Sequence, residues 1–155
     1  RVEAALILAK ACGGEGMVAG QVLDTVCHVA DEAGLSMLNR LKTGAMISAA
    51  AELGCVASRM PMYWRQQAVL FAEQLGLAFQ IRDDMLDVVG DAAVFGKTIG
   101  SDKEKGKVTF VDVLGLDGCA REVERCTESA KAAVANWSDH MFLWELADRM
   151  VGRNK

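Results

Sequence analysis

The chain has 155 residues, a formal net charge of −4 at pH 7 and 52% hydrophobic residues. This length is sufficient for one domain with a substantial core, and the mildly acidic balance disfavours a nucleic-acid partner. Methionine occurs eight times and proline once. Together with the abundance of alanine, leucine and valine, this composition predicts an all-α fold.

The cysteines and the apolar runs indicate a cellular compartment. Five cysteines are scattered along the chain without any C-x-x-C spacing, so neither a disulfide framework nor a zinc site is predicted. A reduced, cytoplasmic compartment fits this pattern best. No uninterrupted apolar run reaches the length of a membrane span, so no membrane span is expected.

The first two predicted helices cover residues 2–11 and about 15–30. The second one carries Gln21 and Asp24 on a partly polar stripe, and these side chains lie either on an exposed face or in a polar cavity. Gly20 on the same stripe would let another backbone or a ligand come close. The sequence starts inside a helix and without an initiator methionine, so we expect an upstream portion to be missing.

A third helix is predicted from Leu35 to Ser58, after a turn at 31–34. Lys42 is the only charged residue on its apolar stripe. An inward-facing lysine needs a partner, because desolvating an unpaired charge is costly. Either Lys42 extends to the surface, or it binds an anion, with Thr43 beside it offering a hydroxyl group.

Residues 62–89 form the longest predicted helix, which follows Pro61. Near its end, one stripe carries an amide and three carboxylates, and the other stripes are apolar. These residues are Gln80, Asp83, Asp84 and Asp87. Clustered carboxylates at a helix C-terminus repel one another unless a cation lies among them. Oxygen ligands alone favour Mg²⁺ or Mn²⁺, and the alternative is a solvated acidic helix end. Gly76, on the same stripe, predicts close approach of a neighbouring helix.

The segment 91–107 follows directly and is rich in lysine. It is either an ordinary solvated loop or a source of ammonium groups that neutralise a metal-bound diphosphate. The spacing of a Walker loop is absent. Its four lysines are Lys97, Lys103, Lys105 and Lys107.

The remaining residues predict three more helices and no strand. A short helix covers 108–114, a longer one covers 118–137 with Asp117 as its N-cap, and the last begins after Ser138 or Asp139 and ends at Gly152. The predicted core face of the last helix consists of Phe142, Leu143, Leu146, Ala147 and Met150.

Five segments in this order resemble the C-terminal half of the trans-polyprenyl diphosphate synthases, in particular the short-chain farnesyl and geranylgeranyl types. The resemblance implies an antiparallel helical bundle around a central cavity, the isoprenoid synthase fold, usually in a homodimer. Residues 1–155 would then be the C-terminal portion of one domain. The segments are GMVAGQVLD (16–24), LNRLKTGAMI (38–47), LGLAFQIRDDMLDVVGD (75–91), GKTIGSDKEKGKVTF (96–110) and FLWELADRMVGRNK (142–155).

The resemblance also implies a reaction and its residues. Magnesium assists the departure of diphosphate from an allylic diphosphate, and the double bond of isopentenyl diphosphate attacks the resulting carbocation. Asp83, Asp84 and Asp87 match the magnesium-binding motif, and Lys42, Asp83 and Lys97 are the expected catalytic residues. The expected substrate contacts are Gln21, Asp24, Lys42, Thr43, Phe79, Gln80, Lys97 and Lys107, with Phe79 beside isopentenyl diphosphate and Gln21 near the prenyl chain. The basic C-terminus, Arg153 and Lys155, matches a tail that helps to close the site.

The sequence departs from the family in one major respect. The first aspartate-rich motif, and the arginine and lysine that hold isopentenyl diphosphate, precede the matching half and are absent here. We therefore expect this chain alone to have little or no synthase activity. One alternative is a non-catalytic helical subunit that pairs with a complete synthase. A terpene cyclase is disfavoured by the lysine-rich segment, and a di-iron bundle by the lack of a Glu-x-x-His pair.

Overall fold

A computed structural model describes residues 1–27, 29–89 and 107–152. These ranges contain α-helices and no strand, which confirms the predicted all-α class. None of the described helices combines the length and apolar character needed to cross a bilayer. The helices are α1 (Val2–Cys12), α2 (Met17–Val26), α3 (Glu32–Asn39), a π-helical turn (Arg40–Gly44), α4 (Ala45–Ala57), α5 (Met62–Val89), α6 (Phe110–Val134) and α7 (His140–Val151).

Helix α5 lies at the centre of the fold and makes its most extensive contacts with α6 and then with α4. Two clusters of buried side chains surround it, and each large apolar side chain in them contributes about 1.5–3 kcal/mol by leaving water. The first cluster joins α5 to the end of α6 and to α7, and consists of Phe71, Leu75, Ala130, Val134 and Ala147. The second joins α5 to α3 and the start of α6, and consists of Leu35, Ile81, Phe110 and Cys119.

Two glycines allow helices to pack at backbone distance around the π-helical turn. A Cβ atom on Gly20 would lie 2.3 Å from the backbone nitrogen of Lys42. A Cβ atom on Gly76 would lie 3.3 Å from Cδ1 of Ile47 and 3.6 Å from Cα of Gly44. Both close approaches were predicted from the sequence, and they hold the turn between α2 and α5.

The structure corrects the predicted bounds of the second and third helices. Helix α2 ends at Val26 rather than near residue 30, and α3 begins at Glu32 rather than at Leu35. The reason is a cap at Asp31, whose Oδ1 accepts a hydrogen bond from the Gly34 backbone N–H at 2.7 Å. Part of the predicted turn is therefore the first turn of a helix.

Helix α6 replaces two predicted helices. It starts with a capping box, in which the Thr109 hydroxyl accepts from the Asp112 N–H and the Asp112 carboxylate accepts from the Thr109 N–H. It continues across Gly115, whose backbone angles (φ 68°, ψ 167°) are not helical. The predicted break thus exists but lies at Gly115, and the predicted N-cap Asp117 lies inside the helix. A positive φ suits glycine because it lacks a Cβ atom.

Helix α7 presents a slightly different face to the core than predicted. Phe142 was expected in the core but is 66% exposed. Trp144 packs against the first cluster instead, together with Leu143 and Met150, and its Nε1 donates to the Lys131 carbonyl at 3.0 Å. The core face of α7 therefore includes Trp144 and excludes Phe142.

Candidate functional site

A cavity of about 410 Å³ opens beside the last turns of α5. Its walls come from α2, from α3 and the π-helical turn, from the end of α5 and from the segment that leads into α6. Several predicted site residues that are distant in the sequence therefore meet in one place. Those that line the cavity are Asp24, Lys42, Thr43, Gln80, Asp84 and Lys107.

Two lysines converge on one carboxylate at this cavity. Oδ2 of Asp24 accepts hydrogen bonds from Nζ of Lys42 at 2.7 Å and from Nζ of Lys107 at 2.6 Å. The Asp24 side chain is 11% exposed, whereas the two lysine side chains are 37% and 36% exposed. The inward-facing Lys42 therefore has a partner on α2, and the three groups together carry a surplus of one positive charge.

The two ammonium groups keep Asp24 ionised. Burial alone would raise the pKa of the Asp24 carboxyl group, but the hydrogen bonds and charges of Lys107 and Lys42 outweigh it and lower the pKa below its usual value. The Asp24 carboxylate is thus ionised at neutral pH. Lys42 and Lys107 offer two ammonium groups to an anion in the cavity, and Asp24 together with Asp84 balances their formal charge.

The π-helical turn places Lys42 and Thr43 at the cavity wall. A π-helical turn contains one residue more than an α-helical turn and is frequent at functional sites. It shifts the stripe of side chains on either side of it relative to α-helical spacing, and it keeps the predicted inward-facing Lys42 with Thr43 beside it. Its close contacts with Gly20 and Gly76 fix its position.

Asn39, one turn before Thr43, lines the cavity but was not predicted as a site residue. It is 4% exposed, and its Nδ2 donates to the Gly76 carbonyl at 3.5 Å. Its buried Oδ1 has no hydrogen-bond partner among the described residues. Only its position four residues before Thr43 could have indicated that it reaches the same cavity.

Asp83, Asp84 and Asp87 at the end of α5, which we call the carboxylate row, differ in how far their side chains are buried. Asp84 is 8% exposed, and its Oδ1 accepts from Nε2 of Gln80 at 3.0 Å. Its Oδ2 accepts from the backbone N–H of Phe110, at the start of α6, at 2.9 Å. Asp83 is exposed and Asp87 is half-buried. The helix thus directs one carboxylate into the protein and leaves the other two more accessible.

Comparison with known proteins identifies the family of this chain. A family model described as "Polyprenyl synthetase" matches residues 2–140. The chain belongs to the polyprenyl synthetase family. Farnesyl diphosphate synthase of Escherichia coli is 40% identical over 157 residues, which cover 96% of this chain and 52% of that protein. The corresponding enzyme of Geobacillus stearothermophilus is 37% identical and is covered to 44%.

Solved structures support the same fold. An FPP/GFPP synthase from Zymomonas mobilis superposes with a TM-score of 0.82 at 30% identity, over 97% of this chain and 50% of that one. A Helicobacter pylori geranyltransferase complexed with magnesium and isoprenyl diphosphate superposes with a TM-score of 0.77 at 27% identity, again over 97% and 50%. The chain has the isoprenoid synthase fold, and it spans about half the length of the curated relatives it matches.

The other residues expected from the polyprenyl synthetase family are not among the described lining residues of the cavity or lie outside the described ranges. Gln21 is exposed on α2 and Phe79 is half-buried on α5, and neither is among the described residues that line the cavity. Lys97 lies outside the described residues, as does the basic C-terminus. Within the described ranges no group of three His, Cys, Asp or Glu side chains is arranged to hold a metal ion. The magnesium site remains a prediction.

Proposed function

We propose that this chain supplies the diphosphate-binding half of a magnesium-dependent trans-prenyltransferase. The enzyme condenses isopentenyl diphosphate with an allylic diphosphate, as a farnesyl diphosphate synthase does. The observation that carries the proposal is the convergence of Lys42 and Lys107 on Asp24, at a cavity that also contains Gln80 and Asp84 of the α5 carboxylate row.

The chemistry requires charge compensation at this place. Diphosphate leaves an allylic carbon only when the negative charge that develops on its oxygens is stabilised. Lys42 and Lys107 supply positive charge, and the Thr43 hydroxyl and the Gln80 amide are uncharged donors at the same cavity wall. Lys97 is proposed as a further cation. A diphosphate that enters the cavity takes over part of the pairing that Asp24 now provides.

A carbocation must also be kept from water, which calls for an apolar surface near the diphosphate site. The described cavity wall provides one: Leu35, Leu38 and Phe110 line it alongside the charged residues. Phe79 and Gln21 are proposed to contact isopentenyl diphosphate and the prenyl chain, respectively.

The accessible carboxylates fit a magnesium ion. Asp83 is exposed and Asp87, one turn further on, is half-buried, and both provide oxygen ligands only. Magnesium is usually held by one or two carboxylates, by substrate phosphates and by water, so this donor set suits it, and Mn²⁺ is a possible substitute. When bound, the ion supplies additional charge neutralisation to the leaving diphosphate.

The proposed partner is a second copy of the protein or the half that its relatives have upstream. Helices α1 and α2 expose apolar side chains that suit such packing: Val2 is 85% exposed, Val22 51% and Val26 74%. All five cysteines are free thiols, which is compatible with the reducing cytoplasm as the proposed compartment.

Calorimetric titration with inorganic pyrophosphate in the presence of Mg²⁺ tests the site directly. We expect Lys42→Ala to weaken binding roughly tenfold or more, because hydrogen bonds to charged groups contribute about 1.5–3 kcal/mol. Lys10→Ala, which removes an exposed lysine on α1, is the matched control and leaves the affinity unchanged. Equal affinities of all three proteins, or no binding by the unaltered chain, would refute the diphosphate site.

A chimera tests the reaction. The chain replaces the matching half of the Escherichia coli farnesyl diphosphate synthase, and turnover of isopentenyl diphosphate with dimethylallyl diphosphate is measured. We expect the chimera to be active and the 155-residue chain alone to show little or no turnover. A folded, pyrophosphate-binding chimera without activity would favour a non-catalytic subunit, and normal turnover by the chain alone would contradict the need for a second half.

A further inference from the structure

The buried member of the carboxylate row, Asp84, accepts two hydrogen bonds from described residues. Asp84 lies in the last two turns of α5, where the helix dipole disfavours a negative charge. Its Oδ2, however, accepts the first backbone N–H of α6, from Phe110 at 2.9 Å. The N-terminus of α6 presents positive charge, so it compensates for the unfavourable end of α5. The carboxylate therefore ties the end of one helix to the start of another.

The start of α6 is held in three ways: by its own capping box, by the packing of Phe110 and by the hydrogen bond to Asp84. Thr109 and Asp112 satisfy each other's N–H groups in the capping box. Phe110 itself is 2% exposed and packs in the second core cluster with Ile81 of α5. The hydrogen bond from Phe110 to Asp84 orients this helix start with respect to α5.

Fixing Phe110 also fixes Lys107. Lys107 lies three residues before Phe110, and its Nζ is 2.6 Å from Oδ2 of Asp24 on α2. Three residues span at most about 10 Å, so the position of the start of α6 limits where Lys107 can lie. Gln80, one turn before Asp84, holds the other carboxylate oxygen at 3.0 Å and so fixes the orientation of the Asp84 side chain.

We propose that Asp84 is a positioning residue rather than a magnesium ligand: it holds the start of α6 so that Lys107 reaches the diphosphate site, while Asp83 and Asp87 face the metal. This inference rests on the proposed function of the same site. It divides the D-D-x-x-D pattern into two roles, which spacing along a helix cannot do, because all three carboxylates share one stripe.

Four variants separate the two roles. In Asp84→Asn the amide oxygen still accepts from the Phe110 N–H, and its NH₂ group donates to Gln80 once that side chain turns its oxygen around. In Asp84→Ala both contacts are lost. Asp83→Asn is the matched loss of a charge on the same helix, and Lys107→Met removes the ammonium group that Asp84 is proposed to position.

The first readout is the affinity for inorganic pyrophosphate with and without Mg²⁺, measured by calorimetry. We expect Asp83→Asn to reduce the enhancement by Mg²⁺ about tenfold or more, and Asp84→Asn to retain it. Asp84→Ala weakens binding to a similar extent with and without Mg²⁺, and adds little to the loss in a Lys107→Met background, because the two residues act as a unit. If Asp84→Asn loses the Mg²⁺ enhancement of pyrophosphate affinity, as Asp83→Asn is expected to, Asp84 is a metal ligand and the proposal is overturned.

The second readout does not depend on diphosphate binding. Hydrogen exchange at the Phe110 backbone amide, followed by NMR, is expected to accelerate about tenfold in Asp84→Ala, in keeping with the loss of one charge-assisted hydrogen bond. Asp84→Asn and Asp83→Asn retain the protection. Unchanged protection in Asp84→Ala contradicts the positioning role even if pyrophosphate binds. If exchange accelerates as expected in Asp84→Ala but the unaltered chain binds no pyrophosphate, the proposed function is refuted while the contact between Asp84 and Phe110 stands.

Discussion

The middle and the last turns of helix α5 have different surroundings. Its middle part contributes to the apolar end of the molecule, which we define by Phe71, Leu75, Ala130, Val134 and Ala147. Its last turns contribute to the polar end, which we define by Asp24, Lys42, Gln80, Asp84 and Lys107. Leu75 and Asp84 are nine residues apart, or about 13 Å along the helix axis.

The two ends are held together by different forces. Side chains at the apolar end are 0–5% exposed, and aromatic rings extend the packing, as in the edge-to-face pair of Trp64 and Trp137 with centroids 5.9 Å apart. At the polar end, charged side chains from α2, the π-helical turn and the segment before α6 meet through hydrogen bonds, and Asp84 of α5 accepts from the start of α6. Stability should therefore depend mainly on the first end and ligand binding on the second, which can be tested by breaking each in turn.

Leu75→Ala is expected to have the largest effect on stability. Leu75 is 2% exposed, and truncating a buried leucine to alanine costs about 2–5 kcal/mol through lost burial and the cavity left behind. Urea unfolding followed by tryptophan fluorescence measures the loss, because Trp64, Trp137 and Trp144 all lie near the apolar end. Under conditions where the variant is folded, its pyrophosphate affinity should match that of the unaltered chain. A weakened affinity would show that the two ends are coupled.

Gly20→Ala is expected to disturb the polar end by displacing backbone atoms. The new Cβ atom would lie 2.3 Å from the nitrogen of Lys42, so α2 or the π-helical turn must move. Overpacking of this kind costs about 1–3 kcal/mol, and we expect it to weaken pyrophosphate binding more than Leu75→Ala does. Gly14→Ala is the matched control, because a Cβ atom there meets nothing within 4 Å. Identical binding by both glycine variants would contradict the role given to the turn.

Much of the fold follows from local sequence signals. The bounds of α5, Met62–Val89, agree with the prediction because Pro61 precedes the helix and its apolar stripes run without interruption. The errors occur where a local signal was overlooked or a tertiary contact decides. Asp31 caps α3 earlier than expected, and Trp144 rather than Phe142 packs on the core face of α7.

Several residues of the site could be predicted from the sequence, but which of them contact one another could not. Lys42 stood out as the only charge on an apolar stripe, and the structure supplies its partner, Asp24, from 18 residues earlier. Which lysine meets which carboxylate depends on how helices distant in sequence pack, and helical spacing contains no such information. The same limit applies to Asp84, whose contact with Phe110 spans 26 residues.

Asp24→Asn should change the pH dependence of stability at the polar end. Because the folded-state pKa of Asp24 lies below its usual value of 3.8, its contribution is present above that pH and is lost as the pH falls through the lowered pKa. We expect the variant to be less stable by roughly 1 kcal/mol at pH 7, and the difference from the unaltered chain to shrink towards pH 3. Urea unfolding at both pH values measures it, and a difference that grows in acid would contradict the assigned ion pairs.

Glu122→Gln, like Asp24→Asn, removes an ion-paired carboxylate, but at a position outside both ends. It should have the smallest effect on the free energy of unfolding. The hydrogen bond from Arg125 lowers the pKa of Glu122, so the sign of the pH dependence is the same as for Asp24. The Arg125 side chain is 57% exposed, however, and solvent screens such pairs to about 0.5 kcal/mol or less. Urea unfolding should also show that 0.5 M salt nearly abolishes this contribution and reduces that of Asp24 much less, because Asp24 is 11% exposed. Equal salt sensitivity would mean that the polar end behaves like an ordinary surface pair, without the enclosure that anion binding requires.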